Sequence, residues 1–293
     1  MRIRGADIHY ETGGATPTGR DQPTLVFIHG FGATLHTWDD LLPALEGRHA
    51  VLRMDLKGFG RSGRPRDDRY SLDEHAEIVS QLVIGESHGP VVLVGHSYGG
   101  AVAILTWLKL RDRPGPRVSG LVLIDSASYA QRLPFFITLY RSPLTRWAVP
   151  LTPPSLRARF VLEHLFVNRS RVSRERVERY ASGMRRPGSH AASTSAANQI
   201  RPADFAGVSR VIRAIDVPTQ IIWGDRDKAV PAAFARRLHE EIAGSTLAML
   251  PNVGHIPQEE CPEHVLAVIE PFLASVSTPP DFQRPPGGSI LTR

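Results

Sequence analysis

The sequence predicts an α/β fold, a mostly parallel sheet with helices on both faces and an all-helical insertion between its two halves. Two observations carry this. Short β-branched runs alternate with helical patterns early and late in the chain. Between 128 and 203 the alternation stops, in a stretch rich in Arg and Pro that offers no convincing strand. No linker rich in Gly, Ser or Pro divides the middle, and 293 residues that are 42% hydrophobic suffice for one large core.

The elements follow in order. The first strands are expected near Ile3 and from Asp7 to Thr12. Leu25 to His29 is a continuous apolar run, the pattern of a strand buried on both faces. Trp38, Leu41, Leu42 and Leu45 stand at helical spacing and predict a helix over Thr37 to Leu45. Val51 to Asp55 is the next strand, and Ser71 caps a helix running to about Ile84. Val91 to Gly95, Gly99 to Leu110 and Val118 to Asp125 read as strand, helix and strand. After the insertion come strand Thr219 to Trp223, helix Ala232 to Ile242, strand Thr246 to Leu250 and helix Glu263 to Ser275. The chain therefore divides into a core of residues 1–127 and 204–276, a helical cap of residues 128–203, and a tail of residues 277–293. That tail holds Pro279, Pro280, Pro285, Pro286, Gly287 and Gly288 and is expected to be disordered.

Bulk properties exclude several classes of function. The longest apolar runs are far too short to span a bilayer, so no stable membrane insertion is expected. Met1 to Asp7 lacks the apolar stretch and cleavage site of a signal peptide, which makes a cytoplasmic location the expectation. The lone Cys261 excludes an internal disulfide and any CxxC site. It sits between Glu260 and Pro262, and its acidic neighbours argue against a thiolate nucleophile. The net charge of +6 comes almost wholly from arginine, with no nucleic-acid-binding motif beside it, so no nucleic-acid partner is expected.

Gly95-His96-Ser97-Tyr98-Gly99 matches G-x-S-x-G, with a strand before it and a helix after it. Such a turn is sharp enough to strain the serine and aim its hydroxyl out of the sheet. Gly95 and Gly99 are required where any side chain would collide. A serine needs a base to act as a nucleophile, and twelve histidines compete. His255 lies on the loop after the last strand, at the sheet edge where strand carboxyl ends line one crevice. His239 and His264 fall within helices and His75 on a charged helical face, where solvated or structural roles are expected, and His96 should point away from Ser97 and orient the turn. The acid that orients the base is assigned to Asp227, after the strand ending at Trp223, with Asp225 and Asp125 as rivals. The amides of Phe31, in His29-Gly30-Phe31-Gly32, and of Tyr98 are the expected oxyanion donors.

Two patterns mislead. Gly58-Phe59-Gly60-Arg61-Ser62-Gly63 satisfies G-x-G-x-x-G, but no helix opens at the turn, so a dinucleotide site is rejected. His239-Glu240-Glu241 lacks the second histidine of a zinc motif, Ala243 standing there instead, and no metal is expected.

Together, over roughly residues 1 to 275, the His29 run, Asp55 to Ser62, GHSYGG, the Trp223-Gly224-Asp225-Arg226-Asp227 loop and the Gly254 to Glu260 loop resemble the α/β-hydrolase family. Lys57 departs from the arginine more usual there. The resemblance implies an eight-stranded, mostly parallel sheet, the inserted cap, and hydrolysis with no cofactor. Ser97 in place of an elbow aspartate argues against dehalogenase and epoxide hydrolase chemistry. Ile256, where C–C bond hydrolases often carry tryptophan, argues against theirs. What remains is cleavage of carboxylic esters, with C–C bond cleavage, haloperoxidase or perhydrolase chemistry, or non-catalytic ligand binding as alternatives. The expected partner is a small molecule with an apolar acyl group, its channel lined by Leu133 to Ile137 and Leu139. The arginines of the insertion are read either as an attractor of anionic substrates or lipid surfaces, or as a solvated outer face.

Overall fold

A computed structural model describes residues 1–15 and 22–277. Its nine strands among these residues are β1 (Arg2–Ile3), β2 (Ala6–Asp7), β3 (Tyr10–Gly14), β4 (Thr24–Ile28), β5 (Ala50–Met54), β6 (Val91–His96), β7 (Val118–Ile124), β8 (Thr219–Gly224) and β9 (Thr246–Leu250). Seven of them form the main sheet, in the order β3-β5-β4-β6-β7-β8-β9. β3 pairs antiparallel with β5 and all other pairs are parallel.

The expected eighth strand is not in this sheet. Arg4 and Gly5, at φ 49° and 82°, turn the chain back so that β1 and β2 pair with each other as a separate hairpin. The helix expected over Thr37 to Leu45 is also broken. A 3₁₀ turn spans Leu35–Trp38, and α1 covers only Leu42–Leu45, because Pro43 can enter a helix only in its first turn. The predicted tail lies outside the described residues except for Ser277, which ends the last helix.

The remaining helices of the core are α2 (Leu72–Glu86), α3 (Tyr98–Arg111), α9 (Ala233–Glu241), α10 (Pro257–Glu260) and α11 (Pro262–Ser277). The sheet's two faces carry separate cores, as the period-2 alternation of a strand requires. Along β4, Leu25 and Phe27 face the layer of Trp38, Leu41, Leu45 and α11, while Val26 and Ile28 face α2 and α3. Both layers are fully buried, and each large side chain so removed from water contributes roughly 1.5–3 kcal/mol.

Between β7 and β8 run α4 (Phe135–Arg141), α5 (Pro154–Leu165), α6 (Arg174–Met184), α7 (Ser189–Gln199) and α8 (Pro202–Ile212), with no strand among the described residues of this stretch. Helix α8 returns to the core and packs on α3, while α4 and α7 pack together, as do α5 and α6.

Candidate active site

Strand β6 passes into α3 through a single residue, Ser97, at φ 54° and ψ −120°. A non-glycine residue held at positive φ stores strain. Here the surroundings enforce it. The Ser97 N–H donates to Ile124 O at 2.9 Å, and its carbonyl accepts from Gly100 N and Ala127 N at 2.9 and 3.0 Å. The glycines are required by close approach. A Cβ on Gly99 would stand 2.2 Å from the carbonyl oxygen of Ile28, and one on Gly95 would stand 2.5 Å from that of Gly99.

Three side chains meet at the carboxyl ends of β6, β8 and β9. His255 Nε2 lies 2.9 Å from Ser97 Oγ, and its Nδ1 lies 2.8 Å from Asp227 Oδ2. Asp227 Oδ1 accepts from the Ala229 and Val230 amides at 2.7 and 3.0 Å, which fixes the carboxylate. Burial alone would push the Asp227 carboxyl up, but the His255 ring outweighs it and holds the group below its usual range. These bonds leave His255 Nε2 free to accept the serine proton, as a general base must.

The rivals have other work. Asp225 braces the His255 loop by accepting from Asn252 N at 2.7 Å. Asp125 ends β7 at φ 44° and is fully buried. Its Oδ1 accepts from Gly224 N at 3.2 Å, and its carboxyl faces that of Asp227. Ligand-type atoms of Asp125, Asp227 and His255 all lie within 4.8 Å of one another. Burial, and then the charge of Asp227, push the Asp125 carboxyl well above its usual range, so it stands as a neutral acid beside an ionised one.

The histidines separate as clearly. His96 does not merely orient the turn: its Nε2 donates to the His255 carbonyl at 2.7 Å, and the two rings contact at a tilt of 50° with centroids 4.9 Å apart. Burial and the neighbouring His255 ring lower its pKa to about 3, so it is neutral. His75 is buried, not on a charged face, and bonds Tyr98 OH at 2.9 Å and the Lys57 carbonyl at 3.1 Å. Lys57 is itself buried, pairing with Asp67 at 2.8 Å, and this His75–Lys57 connection behind the elbow gave no signal in the sequence.

The N–H groups of Phe31 and Tyr98 have no hydrogen-bond partner among the described residues. Both residues line, with Ser97 and His255, a cavity of about 150 Å³ under the insertion. Its walls are mostly apolar: Leu133, Phe135, Phe136 and Ile137 from the insertion, and Val230 and Ile256 from the core. The misleading glycine run supplies Gly58, Phe59 and Gly60 to the same wall, with Gly60 pressed against the Asp55 carboxylate, where a Cβ would sit 2.1 Å from Cγ. Asp55 in turn accepts from the Leu35 and Arg61 amides at 2.8 and 2.7 Å.

Sequence reasoning missed how the His255 loop is tied to the insertion. His255 N donates to the Leu165 carbonyl at 2.9 Å. Glu260 accepts from Gly254 N at 2.8 Å with one oxygen, and from Val167 N and Asn168 N at 2.9 and 2.6 Å with the other. Buried Glu259 accepts from Thr37 Oγ1 and Tyr180 OH, each at 2.5 Å, and pairs with Arg176, which also holds Asp40 at 2.7 Å. The only local signal was the adjacent acidic pair, Glu259 and Glu260.

Known proteins with similar sequences include several hydrolases. The 2-hydroxymuconate semialdehyde hydrolase of Pseudomonas sp. (strain CF600) is 31% identical over 261 residues, covering 85% of this chain and 86% of its own. Lipase 3 of Moraxella sp. (strain TA144) is 24% identical over 255 residues, covering 80% and 72%. The solved meta-cleavage product hydrolase (CumD) of Pseudomonas fluorescens IP01, an S103A mutant complexed with acetates, superposes with a TM-score of 0.76 at 24% identity, over 92% of this chain and 95% of that one. The sequence profile of the alpha/beta hydrolase fold matches residues 23–262, and with the sheet order and the strand–serine–helix turn it establishes that this chain belongs to the α/β-hydrolase family.

Proposed function

We propose that this protein is a serine hydrolase that cleaves carboxylic esters through an acyl-enzyme, with no metal or organic cofactor. The observation that carries this is the unbroken hydrogen-bond chain from Ser97 Oγ through His255 to Asp227, beside two free backbone donors on one apolar cavity. In this reading His255 takes the Ser97 proton as Oγ attacks the ester carbonyl. The Phe31 and Tyr98 amides hold the oxyanion, and His255 returns the proton to the departing alcohol. Water then repeats the attack on the acyl-enzyme, with the same imidazole as base. Residues 128–203 serve as the cap that closes the cavity, and 1–127 with 204–276 as the catalytic core. The substrate is a small molecule, and the phenyl and aliphatic walls fit an apolar acyl group.

A second reading, C–C bond hydrolysis of a ring-fission product by the same triad, draws on the 31% identical semialdehyde hydrolase. One experiment separates them. The wild type and Ser97→Ala are assayed on p-nitrophenyl butyrate and on a 2-hydroxy-6-oxo-dienoate, and labelled with a fluorophosphonate. Ester turnover and labelling that both vanish in Ser97→Ala are the expected result. Turnover of the dienoate alone would favour the second reading. Ester turnover that survives the substitution would defeat the serine mechanism in both.

A further inference from the structure

Exposed apolar surface is concentrated on one part of the molecule. Among the described residues, all the large exposed hydrophobic side chains but Met1 and Ile84 lie between 139 and 167, among them Leu144, Trp147 and Leu151 at 88%, 71% and 84% exposure. A patch of this kind marks an interaction surface. It also borders the catalytic cavity, because Leu139 and Phe160 are both exposed and part of the cavity wall. The same region is strongly basic: from 128 to 168 it holds five arginines against one glutamate, Glu163. Arg146 stacks over the Trp147 ring at 5.3 Å, and among the described residues neither it nor Arg141 has a carboxylate within ion-pairing distance.

We propose that residues 139–167 dock this protein onto an anionic lipid surface, setting the mouth of the cavity against the bilayer. Leu and Trp side chains interleaved with arginine are what an interfacial segment needs: apolar area to enter the acyl boundary and cations to meet the headgroups. The charge decides against a second copy of the chain. A twofold contact would place this basic patch on itself, like charge facing like charge with a single acid per copy to offset it. No described helix is long and apolar enough to cross a membrane, so the contact is peripheral. The lipid would also supply the ester. That last step rests on the hydrolase reading above, whereas docking is measured without turnover.

The molecule carries its own reporter. Of its four tryptophans, Trp38, Trp107 and Trp223 are buried and Trp147 is exposed. Vesicles of phosphatidylglycerol and phosphatidylcholine should therefore shift the emission to the blue and, when brominated, quench it. The protein should cosediment with these vesicles, less so at high salt, and not with phosphatidylcholine alone. The triple variant Leu144→Ser, Trp147→Ser, Leu151→Ser should lower partitioning at least about tenfold while p-nitrophenyl butyrate turnover stays as in the wild type. No spectral shift and no cosedimentation, or unchanged partitioning of the triple variant, would overturn the proposal. So would concentration-dependent dimerisation that the same three substitutions abolish.

Discussion

Substituting Asp125 and Asp227 one at a time tests whether the two buried carboxyls divide their duties as the geometry indicates. Asp125→Asn keeps an oxygen for the Gly224 amide and presents an N–H where the neutral acid presents O–H, so the Asp227–His255 pair keeps its surroundings. Its kcat/KM should stay within about threefold of wild type, whereas Asp227→Asn, which forces the wrong imidazole tautomer, should lower kcat by about 10⁴. Stability carries a second signature. The folded protein holds the Asp125 proton to a higher pH than the unfolded chain does. Its native state therefore binds the extra proton, and stability falls as pH rises from the unfolded carboxyl's range, about 3.9, through the raised folded value. Asparagine cannot ionise. Relative to wild type, Asp125→Asn should gain stability with pH at up to about 1.4 kcal/mol per unit across that window. Urea unfolding of both proteins at several pH values from 5 to 8, beside initial rates on p-nitrophenyl butyrate, measures both effects. An Asp125→Asn variant as inactive as Asp227→Asn, or a stability difference that does not change with pH, would refute the division.

Arg176→Met should cost about 3–5 kcal/mol in urea unfolding, because it strands the buried Glu259 carboxylate, and adding Glu259→Gln should recover part of that loss. A double variant as unstable as the sum of its singles would show that the pair is not coupled. Gly99→Ala drives a methyl to 2.2 Å from a backbone oxygen that cannot move without breaking the sheet. It should exceed the roughly 1–3 kcal/mol of ordinary overpacking and yield no folded protein by circular dichroism. Burial, and then the charge of Glu260, push the Cys261 thiol up to about 12. It should resist iodoacetamide at pH 8 in the folded protein and react once urea unfolds it, as mass spectrometry would show.

What could be read in the sequence was whatever is encoded in short spacings. The Ser97 turn, the apolar runs of β4, β6 and β7, and the loop placements of Asp227 and His255 each depend on neighbours a few residues away. The missed features depend on long-range partners. Nothing local tells that Arg176 will meet Glu259, that His75 will be buried against Lys57 and Tyr98, or that Arg4 and Gly5 will fold two short strands onto each other rather than onto the sheet edge. The break at Pro43 was legible and lost to the stronger signal of Trp38, Leu41, Leu42 and Leu45 at helical spacing, because burial of that face does not require one continuous helix.

The ties of the His255 loop to Leu165, Val167 and Asn168 set a boundary for anyone exchanging insertions between members of this family. The end of α5 and the turn after it belong, mechanically, to the His255 loop: they hold the His255 N–H and, through Glu260, the Gly254 N–H. A graft cut at the sequence edges of the insertion would import a foreign seat for His255 and change turnover on every substrate alike. A graft confined to residues 135–156 would leave that seat intact while replacing part of the cavity wall and the exposed Leu144, Trp147 and Leu151.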